Sequence, residues 1–238
     1  MSQLRHFKQK TGFSYDPNKV LVVSTTTKAR YDQTLLYESL KDQSYTGSFI
    51  IHENNKKGLC EIYNQYITDK WDCVIFVHDD VYIDSCNFVE KIYDGFRDNE
   101  FDVCGLAGGS NLKIKKPLLW HLITARESQS GVVSHGTKKR FIPSVFGNIG
   151  KQTVLLDGLF LAIQPRSLIE KNIKFDENIK GFHHYDLKFS VDCFQAGLIL
   201  GTLPIHVIHS SPGLNGFSKE YLESEDYFYN ELKNYARE

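Results

Sequence analysis

The chain has 238 residues, 41% of them hydrophobic and 24% charged, with a formal net charge of −1. That is enough for one large domain with a substantial core. A near-neutral charge gives no support to a nucleic-acid partner, which demands a basic face, and no run approaches the ~18 apolar residues of a membrane span.

The opening Met1-Ser2-Gln3-Leu4-Arg5-His6 carries no apolar signal core, and residues 1–18 read as an N-terminal extension. A soluble, cytoplasmic protein is expected, with peripheral attachment at the inner face of the cell membrane left open. Val20-Leu21-Val22-Val23-Ser24 is a short apolar run ending in Thr25-Thr26-Thr27, and Arg30 to Leu40 follows with apolar residues at helical spacing. Ser48 to Ile51 reads as a second strand and Leu59 to Ile67 as a second helix. Cys73 to Val77 is the third strand, and Phe88 to Phe96 a helix with Val89, Ile92, Tyr93 and Phe96 on one face. Val103 to Leu106 starts a fourth strand. This alternation predicts a mostly parallel sheet covered by helices on both faces.

From Ala107 to Gly150 the pattern breaks into Gly-rich and Lys-rich segments around Pro117-Leu118-Leu119-Trp120. A stretch this long without periodicity inside a compact domain reads as a functional excursion. Its basic residues, Lys113, Lys115, Lys116, Lys138, Lys139 and Arg140, read as a solvated loop. Val154 to Ile163 returns to one strong strand. A helix is predicted from about His184 to Gly197, short strands at Leu198 to Leu200 and His206 to Ile208, and a tail helix from Lys219 to Arg237 with Tyr221, Phe228, Leu232 and Tyr235 on one stripe. The five cysteines, Cys60, Cys73, Cys86, Cys104 and Cys193, are odd in number and lack a CxxC pair, so they are expected to be reduced and buried.

The most informative stretch is Val74-Ile75-Phe76-Val77-His78-Asp79-Asp80-Val81. A buried-type strand that runs into two carboxylates at its carboxyl end stands where ligand crevices open in α/β sheets, and hard cations such as Mg²⁺ and Mn²⁺ take carboxylate oxygens. Asp-Asp after a strand also serves as an ordinary turn or cap, so the pair alone leaves both readings open.

Six segments, in order, carry a resemblance: Glu61-Ile62-Tyr63-Asn64; Phe76 to Val81; Asp157-Gly158-Leu159-Phe160; Phe175-Asp176-Glu177; Gly181-Phe182-His183-His184-Tyr185-Asp186-Leu187; and Val207-Ile208-His209-Ser210-Ser211. Together they resemble the GT-A glycosyltransferases, and within them the bacterial family-two-like group whose metal motif reads His-x-Asp in place of Asp-x-Asp. The resemblance covers roughly Val20 to Ser211. It implies an α/β, Rossmann-like single domain over residues 19–215, with a nucleotide-binding half (19–106), the irregular excursion (107–152) and an acceptor and metal half (153–215). A small antiparallel element and a C-terminal helical tail (216–238) complete it.

The resemblance further implies a nucleotide-sugar donor, with Mn²⁺ or Mg²⁺ bridging its phosphates. Asp80 takes the metal-binding place, Asp79 the middle of the motif, and His78 the first position, which in relatives contacts the donor ribose. His209 matches a histidine that supplies a second metal ligand, with His206 a weaker competitor. Ser24, Thr25 and Thr26 match the resting place of base and ribose, Glu53 an acidic residue on the base, and Lys57 and Asn64 further base or pyrophosphate contacts. Lys219 would reach the diphosphate when a C-terminal lid closes.

Relatives place the catalytic base in a Glu-Asp-x-Asp segment. Here His183, His184, Tyr185 and Asp186 stand there, which points to Asp186 as base with His184 as the alternative. Asp157 and Gly158 would lie under the donor or acceptor sugar, beside His183, and Trp120 could stack on an acceptor or belong to the core. The expected activity is inverting transfer, from UDP-sugar, to a glycan or lipid-linked saccharide in bacterial surface polysaccharide synthesis. The departures at His78, His183 and His184 also suit a non-catalytic binding module within a larger synthase assembly or homo-oligomer. A sugar nucleotidyltransferase would need a glycine-rich phosphate loop, which Thr25-Thr26-Thr27-Lys28 does not supply.

Overall fold

The computed structural model describes residues 16–211 and 216–235. Residues 1–15 of the predicted extension, the 212–215 stretch at the predicted domain boundary, and the Tyr235 side chain lie outside the described residues. In chain order the strands and helices are β1 (Val20–Thr25), α1 (Leu35–Asp42), β2 (Ser48–His52), α2 (Leu59–Tyr63), β3 (Cys73–Val77), β4 (Val81–Ile83), α3 (Phe88–Asp98), β5 (Val103–Gly105) and β6 (Ala107–Gly109). There follow α4 (Trp120–Ile123), β7 (Gln129–Thr137), β8 (Arg140–Gly147), β9 (Gln152–Thr153), β10 (Leu155–Leu156), β11 (Phe160–Ile163), α5 (Pro165–Glu170), α6 (Tyr185–Gln195), β12 (Leu200–Thr202), β13 (Val207–His209) and α7 (Lys219–Tyr235).

Alternate residues of the central strands serve two cores. Val20, Val22, Cys73, Ile75 and Val77 pack with Leu36, Leu40, Phe88 and Ile92 on one face. Leu21, Val23, Val74 and Phe76 pack with Ile62, Tyr63, Phe175 and Tyr185 on the other. The period-two side-chain alternation of a strand thus explains why these runs are apolar throughout: both faces are covered.

The main sheet runs β2-β1-β3-β11-β5-β12-β9. β1 is parallel to β2 and β3, and β5 to β12, but β11 runs antiparallel between β3 and β5, and β9 antiparallel to β12. The sheet is therefore mixed, where the strand and helix alternation predicts mostly parallel pairing. β11 enters from the second sheet without the helical crossover that parallel pairing requires.

That second sheet, β10-β6-β7-β13-β4 with β8 on β7, is larger than the small antiparallel element expected. It takes β6, β7 and β8 from the predicted irregular excursion: β7 and β8 form a long hairpin whose Gly-, Ser- and His-bearing strands lack the apolar alternation that would mark them. The single strand predicted over Val154 to Ile163 is broken in two. The Asp157 Oδ1 accepts the Leu159 N–H at 3.1 Å, a local turn that competes with the ladder and sends β10 to β6 and β11 to β3.

Predicted helix Arg30 to Leu40 resolves into a 3₁₀ turn, Tyr31–Gln33, and α1, whose start is capped by the Thr34 hydroxyl accepting from Tyr37 N. The tail helix α7 packs on the body through Tyr221, Phe228 and Leu232. Four cysteines are buried as expected, whereas Cys86, at the polar turn before α3, is exposed, and all five are free thiols. No helix among the described residues is long and apolar enough to cross a membrane.

Candidate active site

The parallel strands β1, β2 and β3 end at one edge of the sheet, where the loops that follow are laced together: Thr26 N donates to His52 O and Asn55 N to Thr26 O. The turn between β3 and β4 closes with Val81 N donating to His78 O at 3.3 Å, so His78, Asp79 and Asp80 fan out from that edge. Two neighbours fix the fan. Leu159 O accepts from His78 N at 3.0 Å, and Asp80 O accepts from Ser210 N at 2.9 Å, which sets the end of β13 beside the turn. Because β13 pairs antiparallel to β4 with His209 opposite Val81, the His209 Nε2 comes to 3.3 Å from Asp80 Oδ1.

His78 completes the group. Its Nε2 lies 2.9 Å from the Tyr185 hydroxyl, and that hydroxyl donates its proton to Gly158 O at 2.8 Å. A phenol has one proton to give, so Nε2 carries the hydrogen and Nδ1 is left with its lone pair. One ligand atom from each of His78, Asp80 and His209 lies within 4.8 Å of the other two. Two imidazoles and a carboxylate at this spacing form a donor set that suits a divalent transition cation.

The electrostatics agree with that reading. Burial alone would raise the Asp80 carboxyl, but the His209 hydrogen bond and the charges of His209 and His78 bring it below the usual value. Burial would likewise lower His209, yet its hydrogen bond and attraction to Asp80 raise it. Burial holds His78 below an ordinary histidine despite the nearby Asp80. The result is an ionised carboxylate beside two imidazoles.

Asp79 points elsewhere: its Oδ2 accepts from the Thr26 hydroxyl at 2.6 Å, and it stands outside the cluster. The three turn residues open on a cleft of about 530 Å³, walled by Thr25, Thr27, Asn55, Leu59 and Tyr63 on one side and Phe182, His183 and His209 on the other. A second hollow of about 250 Å³ shares His78, Phe182 and His183 with the first and continues to Trp120, His121, Asp157, His184 and Asp186.

Asp157 and Asp186 form the floor of the second hollow. Trp120 Nε1 donates to Asp157 Oδ2 at 2.8 Å, and Gly158 N donates to Asp186 Oδ2 at 2.7 Å. A Cβ on Gly158 would lie 2.3 Å from the Tyr185 hydroxyl oxygen, so only glycine lets this strand break close over Tyr185. Burial, and then the neighbouring Asp157 charge, push the Asp186 carboxyl up to about 7. His184 precedes it as N-cap with φ of 62°, its Nδ1 2.8 Å from Ser224 Oγ and its ring against Tyr221. Burial, and then His183, lower His184 to about 4.

The structure thus brings together His78, Asp80, His209, Asp157, Gly158, His183, His184 and Asp186 around two joined hollows, with Thr25 on the opposite wall. Other residues matched through the resemblance are engaged elsewhere. The Ser24 hydroxyl donates to Val77 O inside the sheet, and Glu53 accepts from Tyr31 N. Lys57 pairs with Glu61. Asn64 accepts from Phe175 N and donates to Phe175 O and Glu177, which makes it a brace between α2 and the Phe175 loop. Lys219 is 90% exposed and pairs with Glu223 at 3.4 Å. Trp120 is only 6% exposed, with Phe146 against it, and it holds Asp157 at the wall of the second hollow. His206 bridges Asp84 and Ser134, outside the cation cluster.

Tyr185, Asn55, Leu59, Tyr63 and Phe182 are absent from the expected site residues. Tyr185 and Tyr63 sit inside segments that carried the resemblance, and their polar tips were the available signal.

A family model described as "Glycosyltransferase like family" matches residues 21–208. No curated protein matches the chain. Among solved structures, the mannosyltransferase PcManGT from Pyrobaculum calidifontis, in complex with GDP-Man and Mn²⁺, is similar at 11% identity and a TM-score of 0.51, over 85% of this chain and 60% of that one. S. aureus TarS 1-349 is similar at 12% identity and a TM-score of 0.48, over 82% of this chain and 61% of that one. A Drosophila β-1,4-galactosyltransferase 7 mutant, with manganese, UDP-Gal and xylobiose, is similar at 11% identity and a TM-score of 0.47, over 86% and 79%. The chain spans about three fifths of the length of the first two. At 11% identity the likeness to the mannosyltransferase speaks to the fold alone, which is the mixed α/β GT-A fold.

Proposed function

The chain belongs to the glycosyltransferase-like family, and from that premise we propose that it is a metal-dependent glycosyltransferase moving a sugar from a nucleoside-diphosphate sugar to a saccharide or lipid-linked acceptor. The observation that carries this is the convergence of His78, Asp80 and His209 at the carboxyl edge of the sheet, between a cleft on the β1 side and a hollow floored by Asp186. In this reading the nucleoside lies along Thr25, Thr27, Asn55 and Leu59, with the diphosphate at the histidine and aspartate cluster. A divalent cation held there would supply neutralisation of the charge that grows on the leaving phosphate.

Asp186 is the residue we assign as base. It lines the hollow beyond the cluster, and a carboxyl raised to about 7 is matched to taking a proton from an acceptor hydroxyl near neutral pH. His184 suits the role less: its Nδ1 is engaged by Ser224 and burial lowers it to about 4. Attack from the Asp186 side, opposite the departing diphosphate, would invert the anomeric centre. UDP as the nucleotide and bacterial surface polysaccharide as the destination belong to the same reading.

The test is a panel of UDP- and GDP-sugars with saccharide acceptors, read as released nucleotide and as product. Asp80→Ala should abolish turnover, a loss of ~10³-fold or more, while circular dichroism shows the fold retained. Full turnover in that variant would refute the reading. Donor binding without product under any acceptor would favour a non-catalytic binding module, which the histidines at positions 78, 183 and 184 also suit.

A further inference from the structure

We propose that the free edge of β8 is a docking surface for a bilayer of anionic phospholipid. Only the purpose of such docking rests on the proposed function, since the surface itself is read from side chains outside the two hollows.

Four large apolar side chains stand in the open along one short stretch: Phe141 is 41% exposed, Ile142 70%, Val145 59% and Ile149 40%. Single exposed apolar residues are ordinary on a protein surface, but a run of them on an edge strand invites either aggregation or a partner. Side chains alternate along the strand, so Ile142 emerges on the side of its opposite number His135, and Phe141 and Val145 on the other. The edge as a whole is apolar, which suits edge-on entry into a fluid surface better than a fit against one rigid face.

The same edge is closed to a further strand. Among the described residues β8 pairs with β7 alone. Pro143, in mid-strand, has no N–H to offer a new neighbour. The Arg126 guanidinium donates to Val145 O at 2.8 Å and also to Phe146 O, so two carbonyls at the bulged end are taken. Strand addition by a second copy or an extended peptide thus loses its hydrogen bonds, while the apolar side chains stay exposed.

Charge selects the occupant. From Ser128 to Leu156 the chain carries Lys138, Lys139, Arg140 and Lys151 and no acidic residue, against −1 for the whole chain. Lys139 and Arg140 are exposed at the hairpin turn, next to Phe141 and Ile142. Lys138 is paired with Glu38 at 2.8 Å and Asp42 at 2.7 Å. On the Phe141 side, where the His206 ring lies 5.4 Å away, Asp84 is held by His206 at 2.8 Å. Exposed cations beside exposed apolar side chains are the composition of a membrane-surface anchor: the cations attract lipid phosphates, and the apolar groups enter the boundary between headgroups and chains.

The position fits the proposed reaction. Ile142 lies opposite His135 on β7, and His135 opposite His209 on β13, so the edge is two strand spacings, ~10 Å, from the cation cluster. A bilayer seated there would hold the site at the level of the lipid headgroups, where a lipid-linked acceptor presents its sugar.

The experiment uses the whole chain, without donor, sedimented with vesicles of phosphatidylcholine alone and of phosphatidylcholine and phosphatidylglycerol in equal parts. We expect binding to the mixed vesicles at least ~10-fold tighter than to the neutral ones, weakening as salt is raised. Lys139→Glu with Arg140→Glu, and separately Ile142→Ser with Val145→Ser, should each lower it ~10-fold or more with the thermal melt unchanged. If one pair fails to fold, the other is read in its place. Absence of binding, equal binding to both kinds of vesicle, or binding that survives both pairs would overturn the proposal. So would a dimer in sedimentation velocity that Ile142→Ser with Val145→Ser dissolves, which would make the edge a contact between copies. Vesicle binding by a protein that transfers no sugar would leave the surface assigned and count against the proposed function alone.

Discussion

Replacing Asp186 with Asn tests the base assignment through two independent readouts. Asn keeps the shape and an oxygen to accept the Gly158 N–H, which Asp186 Oδ2 now takes at 2.7 Å, but removes the titration. The carboxyl is raised from 3.8 to about 7, by burial first and Asp157 second. At ~1.4 kcal/mol per unit the shift corresponds to a ceiling of about 4 kcal/mol, and solvent access to part of the carboxyl reduces this to ~2 kcal/mol. The sign follows from proton counting. Between pH 3.8 and about 7 the native state holds a proton that the unfolded chain has lost, so native stability falls as pH rises through this window. Asp186→Asn escapes that loss.

The variant should match the natural protein in stability near pH 4 and exceed it at pH 8 by ~2 kcal/mol, a gap of roughly 4–8 °C in Tm for a chain of this size. In assays of kcat/KM the natural protein should gain activity with an inflection near pH 7, and Asp186→Asn should lose ~10²- to 10⁴-fold in kcat. A Tm gap that does not open with pH would refute the electrostatic argument. Full activity with the gap present would leave Asp186 a buried acid and return the base to His184.

Trp120→Phe removes the Nε1–H bond that reaches Asp157 Oδ2 at 2.8 Å, and hydrogen bonds to charged groups contribute ~1.5–3 kcal/mol; urea denaturation should show a loss of that size, and an unchanged midpoint would refute the positioning role. Gly158→Ala forces a Cβ to 2.3 Å from the Tyr185 hydroxyl. It should cost ~1–3 kcal/mol in a thermal melt and weaken Mn²⁺ binding through His78, so a variant with natural stability and affinity would contradict the network described. Lys219→Ala should leave kcat/KM within about 2-fold, since this lysine is 90% exposed and paired with Glu223; a larger loss in steady-state assays would bring it back to the diphosphate.

The local signals were legible wherever one physical constraint dominated a segment. β1 and β3 are apolar at every position because both faces are covered, and they can be read without knowing their neighbours. The same holds for the turn after β3, where carboxylates end an apolar run, and for the stripe of α7. β7 and β8 were not legible, because strands of Gly, Ser and His earn their place from pairing partners distant in sequence. Nor was the break at Asp157 and Gly158, where a two-residue turn overrides a run of strand formers.

The sequence by itself determined the α/β class, the order of the elements through β5 and the position of Asp80 at a strand's carboxyl end, since these depend on local periodicity and on charge that cannot be buried unpaired. Only the tertiary structure decided which partners Asp80 has. His209 reaches it through the antiparallel register of β13 on β4, and His78 is turned to join them by Tyr185, 107 positions along the chain. Those contacts arise from strand register and from a phenol with one proton to donate, and neither leaves a trace in the spacing of residues.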